Sequence, residues 1–136
     1  IAAAYNASNM ENAVRYNHDN FTPEQKGIFE DNDKTYQLGS GWTATGSGEA
    51  MTFTVNGAKQ IYIVYYWDAS GQGGKADISA NGKALGTMNG DFSGGWNRLE
   101  VKEVLNGDEP ADCTVSITPT SDSGKKFTIA GIIVSK

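Results

Sequence analysis

Nine residues, Gln60-Ile-Tyr-Ile-Val-Tyr-Tyr-Trp-Asp68, limit the fold of this chain more than any others. Ile61 to Tyr66 are all β-branched or aromatic. Such side chains fit a pleated surface and lose rotamer freedom in a helix. The run is far short of the roughly twenty apolar residues of a membrane helix. Asn56-Gly57 precedes it and Ser70-Gly71-Gln72-Gly73-Gly74 follows, both read as turn chemistry. Alternation puts Ile61, Ile63 and Tyr65 on one face and Tyr62, Val64 and Tyr66 on the other. Neither face is plainly polar. A strand covered on both sides is expected at the centre of a two-layer β protein.

The rest of the chain keeps the same rhythm from Thr35 onward, with period-two runs broken every eight to twelve residues. Tyr36 to Leu38 is expected as a first strand ending at Gly39-Ser40-Gly41-Trp42. Met51, Phe53 and Val55 alternate with Thr52 and Thr54. Ala76, Ile78 and Ala80 lead to Asn81-Gly82, the strongest short hairpin signal, and Lys83 to Met88 returns. Asn97 to Val104, Thr114 to Thr118 and Phe127 to Val134 complete about eight strands. Seventeen glycines, three prolines and 20% charged residues suit such a fold, and 136 residues suffice for one core. Cys113, the single cysteine, lies in an alternating run and reads as a small buried hydrophobe.

Residues 1–34 read differently, as an irregular, short-helical segment packed on a β-sandwich of residues 35–136. Ser8 to Glu11 has capping-box spacing ahead of Ala13, Val14 and Tyr16. Thr22-Pro23-Glu24-Gln25 is a second helix-start signal, stopped by Gly27. Asp31-Asn32-Asp33 reads as a turn. The chain starts at Ile1 and looks excised from something longer.

Chemistry is limited by what the chain lacks. A net charge of −5 argues against nucleic acid and against an anionic membrane surface. His18, the one histidine, stands among Asn17, Asp19 and Asn20 and reads as a solvated surface residue. No serine has the nucleophile-elbow context, no carboxylate pair stands out, and neither a phosphate loop nor zinc-ligand spacing is present. No catalytic set is expected. Carbohydrate binding needs less: an aromatic ring as apolar platform and a few polar groups to fix hydroxyls. Trp67 with Asp68, Trp96 with Asn97 and Arg98, Trp42 before the polar loop Thr43 to Glu49, and Tyr66 are the candidate ligand-binding residues. For each tryptophan the competing reading is core packing. Turn aspartates, Asp31 and Asp33 first among them, are candidates for a structural calcium, though no EF-hand spacing occurs.

Several motifs resemble one known group of folds. Gly39-Ser-Gly-Trp42, Met51-Thr-Phe-Thr-Val-Asn-Gly57, Gly74-Lys-Ala-Asp-Ile-Ser-Ala-Asn-Gly-Lys83, Gly95-Trp96-Asn-Arg98 and Lys126-Phe-Thr-Ile-Ala-Gly-Ile-Ile-Val134 follow in order over about three quarters of the chain. Together they resemble the galactose-binding-like jelly rolls, in particular the sandwich domains attached to SGNH-type carbohydrate esterases and other glycan-degrading enzymes. The resemblance implies a non-catalytic carbohydrate-binding or accessory module of a larger extracellular or cell-surface protein. Its partners would be a polysaccharide or oligosaccharide and the neighbouring domains. Two other functions compete with it. One is a structural or protein-interaction sandwich supporting a catalytic or scaffold domain. The other is a piece of an esterase that depends on His18.

Overall fold

The computed structural model describes residues 13–35, 39–68, 70–91 and 98–136. The described residues form eight strands: β1 (Ala13–Tyr16), β2 (Glu30–Thr35), β3 (Gly39–Thr45), β4 (Met51–Trp67), β5 (Lys75–Ala80), β6 (Lys83–Asn89), β7 (Arg98–Pro119) and β8 (Lys126–Ser135). All strand pairings are antiparallel, in the order β2-β3-β8-β4-β7-β5-β6, with β1 added along β8. The described residues contain no helix that is long and apolar enough to cross a membrane.

One buried cluster joins strands from distant places in that order. Trp42 of β3, Phe53 and Ile63 of β4, Ile78 of β5, Met88 of β6, Ile117 of β7 and Phe127 of β8 share it. In a flat sheet β3 and β6 would lie too far apart to share a core. The sheet therefore curls into two facing layers, the β-sandwich expected from the sequence. Phe21 meets Phe53 edge-on at 5.6 Å between ring centres, and Phe29 meets Phe127 at 6.4 Å, so the segment before β2 also packs onto the core.

The central run behaves as its composition dictates. β4 is flanked by β8 and β7, with Ile61, Ile63 and Tyr65 in the main core. Val64 lies on the other face in a smaller cluster with Leu99, Ala130 and Ile133, against which Tyr62 packs. Asn56-Gly57, however, is not a turn. β4 continues through it, and Gly57, at φ 67°, sits in a bulged stretch where the β4–β7 register shifts. The Gly57 N–H donates to Asp112 Oδ1 at 2.9 Å. β7 is likewise one long strand where two were expected. Its first half faces the second half of β4, and its second half runs between the start of β4 and β5. Bulges raise local twist and bend a strand, which lets two continuous strands serve both layers.

Asn81-Gly82 forms the expected hairpin between β5 and β6. Both residues have positive φ, 51° and 81°, as a type I′ turn requires. Asn81 also anchors the tip to β7, since its Oδ1 accepts from the Thr114 N–H at 2.8 Å. Cys113 is buried in the core as expected.

The N-terminal expectations are corrected. Described residues 13–35 contain no helix. Ala13 to Tyr16 form a strand because the edge of β8 offers four residues a ready ladder, whereas an isolated helical turn must bear its own nucleation cost. The helix start at Thr22-Pro23 gives way to an extended stretch bridged to β4. Gln25 and Thr52 exchange N–H···O bonds of 3.1 and 2.8 Å. A Cβ on Gly27 would lie 2.1 Å from the Glu49 carbonyl oxygen, so only glycine allows that approach. Asp31-Asn32-Asp33 belongs to β2, not to a turn, and Thr43 to Thr45 continue β3. The strand expected at Tyr36 to Leu38 and the capping box at Ser8 to Glu11 lie outside the described residues.

Trp42 is fully buried in the main cluster. Its truncation leaves a large void with no chain free to fill it. Trp42→Ala is expected to lower the unfolding free energy by about 3–5 kcal/mol, measured by urea denaturation. A loss below about 1 kcal/mol would show that the ring is not part of the core.

Candidate functional site

Of the sequence-selected residues, Tyr66, Trp67, Asp68 and Arg98 lie at the end of the sandwich where β4 finishes. Trp67 is half-buried against the core, and Arg98, directly across the β4–β7 ladder, lays its guanidinium over the indole. The guanidinium carbon stands 4.4 Å from the ring centre, a cation–π contact that holds the planar donor fork in place. Asp68 follows in a tight turn, where its Oδ1 accepts from the Ser70 N–H at 2.7 Å and the Ser70 hydroxyl at 2.6 Å. Tyr66 points away from Trp67, because adjacent strand residues face opposite ways. The two rings therefore cannot form one platform. Trp42, expected among the ligand-binding residues, lies wholly in the core and is a packing residue. Trp96 and Asn97 lie outside the described residues.

Next to this corner three loops are knitted into one surface. The Asp68 N–H donates to the Gly90 carbonyl at 2.8 Å. The Gly90 N–H in turn donates to Gly74 O at 2.7 Å, and the Gly74 N–H to Lys126 O at 2.7 Å. Lys125 Nζ donates to the Gly71 carbonyl. The glycines are required by this close approach. A Cβ on Gly73 would meet Gly90 O at 2.3 Å, and one on Gly74 would meet Ser121 Oγ at 2.1 Å. The glycine-rich loop after Asp68, read from the sequence as turn chemistry, is thus fixed by backbone pairing.

These loops enclose a polar cleft of about 130 Å³, lined by Gly73, Gly74, Lys75, Asn89, Asp91, Ser121, Asp122 and Lys125. It offers ammonium, amide and hydroxyl donors beside carboxylate acceptors, a set that suits a hydroxyl-rich ligand. Ser121 is buried, and its Oγ accepts from the Lys75 N–H at 2.8 Å while donating to the Lys75 carbonyl at 3.1 Å. Residue types gave no signal for Ser121, Lys75 or Asn89. The closely spaced glycines 71, 73, 74 and 90 were the only trace in the sequence.

The calcium candidates divide. Asp31 is 3.3 Å from Lys26 Nζ, with which it forms an exposed ion pair. Asp33 faces His18, with Oδ1 2.6 Å from Nε2, and Asp19 Oδ1 lies 3.4 Å from Nδ1. His18 is only 13% exposed, so the solvated surface histidine expected from its polar neighbours is corrected. A group of acidic and imidazole ligands able to hold a cation is thereby assembled. Calcium takes six to eight oxygens, and the two carboxylates would supply part of that shell.

No protein-family model matches the sequence, and no curated protein matches it. Solved structures do. A two-domain esterase (CEX) active on acetylated mannans, also co-crystallised with mannopentaose, superposes with a TM-score of 0.74 at 20% identity. The match covers 91% of this chain and 36% of the esterase, so the chain spans about a third of that protein's length. The CBM36-1 domain of a multidomain xylanase from the hindgut metagenome of Trinervitermes trinervoides gives 0.58 at 14% identity, covering 92% of this chain and 98% of that domain. A carbohydrate-binding module CBM36, solved with calcium and xylotriose, gives 0.54 at 16%, covering 90% and 99%. The chain has the galactose-binding-like jelly-roll fold of these modules. Fold alone does not name a ligand.

Two outcomes test this corner. Gly74→Ala is expected to force Ser121 off Lys75 and loosen the three loops, lowering Tm by several degrees. Faster hydrogen exchange at the Gly74 and Gly90 amides is the check, and unchanged protection would refute the knitted arrangement. The second concerns alkaline pH. Burial raises the Tyr65 phenol above the ordinary 10.0, with the Trp67 indole working the other way, and burial also raises the Cys113 thiol above 9.0. The unfolded chain then loses these protons at lower pH than the folded one. The stability is fully present below about pH 9 and declines as pH rises through 9 and 10 into the raised folded values. Tyr65→Phe should flatten the upper part of that decline in urea titrations.

Proposed function

We propose that this chain is a non-catalytic carbohydrate-binding module of a larger extracellular glycan-degrading protein. In this reading residues 35–136 form the module and residues 1–34 pack on it. The observation that carries the reading is the placement of Trp67, Arg98 and Asp68 beside a polar cleft at one end of a sandwich shared with carbohydrate-binding modules. The neighbours solved with xylotriose or mannopentaose direct attention to β-linked plant polysaccharides.

The saccharide lies across the Trp67 corner and reaches into the cleft. Arg98 covers one indole face, so the stacked pair acts as a unit. The ring supports the guanidinium, and its fork donates to neighbouring sugar hydroxyls. Asp68 holds the turn that presents this pair. Trp96 and Asn97, which precede Arg98 in the sequence, belong to the proposed ligand-binding set.

Affinity electrophoresis against xylan, mannan, acetylated mannan and β-glucan tests the proposal. Retardation by at least one polymer is expected, with Trp67→Ala and Arg98→Ala each weakening it about tenfold, roughly the loss of one good stacking or charge-assisted contact. Circular dichroism of each variant separates loss of the site from loss of the fold. Wild-type migration unaffected by every polymer would reject the proposal in favour of a scaffold module that packs on a neighbouring domain.

A further inference from the structure

Building on the carbohydrate-binding reading proposed above, we infer that the polar cleft beside Trp67 takes the non-reducing end of a glycan chain, one sugar residue deep. The interior of the chain is not what the cleft recognises.

Size sets the first limit. The cleft holds about 130 Å³, less than half of the roughly 300 Å³ at which pockets for drug-sized ligands begin. One pyranose ring suits such a space, whereas a run of linked residues does not. The glycine wall cannot spread to admit more chain without breaking its own backbone bonds. The Gly74 N–H donates to Lys126 O and the Gly90 N–H to Gly74 O, each at 2.7 Å.

The lining sets the second limit. It contains no aromatic residue among those described, so no ring stacks on a sugar face inside the cleft. Recognition there depends on hydroxyls. Among the described residues, the Lys75 ammonium and the Asp91 and Asp122 carboxylates make no ion pair or hydrogen bond of their own. Asn89 Oδ1 accepts from the Asp91 N–H at 3.0 Å, which leaves the amide NH₂ to donate. A sugar hydroxyl donates and accepts at once, so neighbouring hydroxyls can bridge ammonium and carboxylate. Each interior residue of a pyranose chain has one ring hydroxyl converted to a glycosidic oxygen, which only accepts. The residue at the non-reducing end keeps that hydroxyl. Bonds to charged groups are the strong ones, so the extra hydroxyl favours the end over the interior. Lys75 and Lys125 balance Asp91 and Asp122 in charge, which suits a neutral sugar. The following residues leave toward Trp67 and Arg98, since the Asp68 N–H donates to the Gly90 carbonyl at 2.8 Å and joins that corner to the cleft wall.

Calorimetry on the 136-residue chain tests this, with xylose, xylotriose and xylohexaose, the matching manno-oligosaccharides, and xylan and mannan before and after partial acid hydrolysis. In the series that binds, trimer and hexamer are expected to bind alike, and reduction of the far end to an alditol to change nothing. Capacity per gram of polymer should rise in proportion to the chain ends that hydrolysis creates. Asp91→Asn and Asp122→Asn, both at exposed side chains, should each weaken binding at least about tenfold, the loss of one hydrogen bond to a charged group. Four outcomes would overturn the inference and leave the carbohydrate-binding module standing: affinity that climbs from trimer to hexamer, capacity indifferent to chain length, polymer binding without oligomer binding, or affinity unchanged in both variants. If none of these saccharides bound, the module and its end recognition would fall together.

Discussion

The antiparallel pairing of β4 with β7 is the constraint on which the rest of the molecule depends. Its register runs from Met51↔Ile117 to Trp67↔Arg98, the full length of β4. Because the pair bends at its bulges, each strand belongs to both layers, and the layers are fastened by continuous backbone hydrogen bonding as well as side-chain packing. The alternating half of β4 can face water on one side, where Thr54 and Thr114 share a hydrogen bond of 3.0 Å. The doubly apolar half requires cover on both. β8 pairs beside it, and Ala130 and Ile133 join Val64 in the second cluster.

The same pairing builds the Trp67 corner. Trp67 and Arg98 are cross-strand partners, so the cation–π stack follows directly from the ladder's register. A one-residue slip would send Arg98 to the opposite face. The adjoining cleft has a different origin. Its walls are loops brought together by backbone bonds through Gly74 and Gly90, where side chains would prevent contact. One end of the molecule thus combines a side-chain element set by register with a loop surface set by glycine.

Much of the β architecture was legible from local pattern. Ile61 to Tyr66 marked a strand covered on both faces, and Asn81-Gly82 marked its hairpin by the positive φ that such turns need. Errors arose where one local signal has two structural meanings. Asn56-Gly57 has the chemistry of a turn, but positive φ at glycine serves a bulge equally well, and only the partner strand decides between them. Thr22-Pro23 carries a helix start, yet Gln25 finds a partner in Thr52, which lies 27 positions on. Trp42 stands after a glycine in a polar stretch and looks accessible, but its ring is buried in the main core cluster.

By itself the sequence determined the strand-rich composition and the alternation that defines inner and outer faces. These follow from residue type and nearest-neighbour spacing, which need no knowledge of the fold. Only the tertiary structure decided that Arg98 covers the Trp67 ring, that Ser121 reaches Lys75, and that His18 leaves solvent to meet Asp33. Each depends on where the chain returns after many residues, and that return is set by the core as a whole.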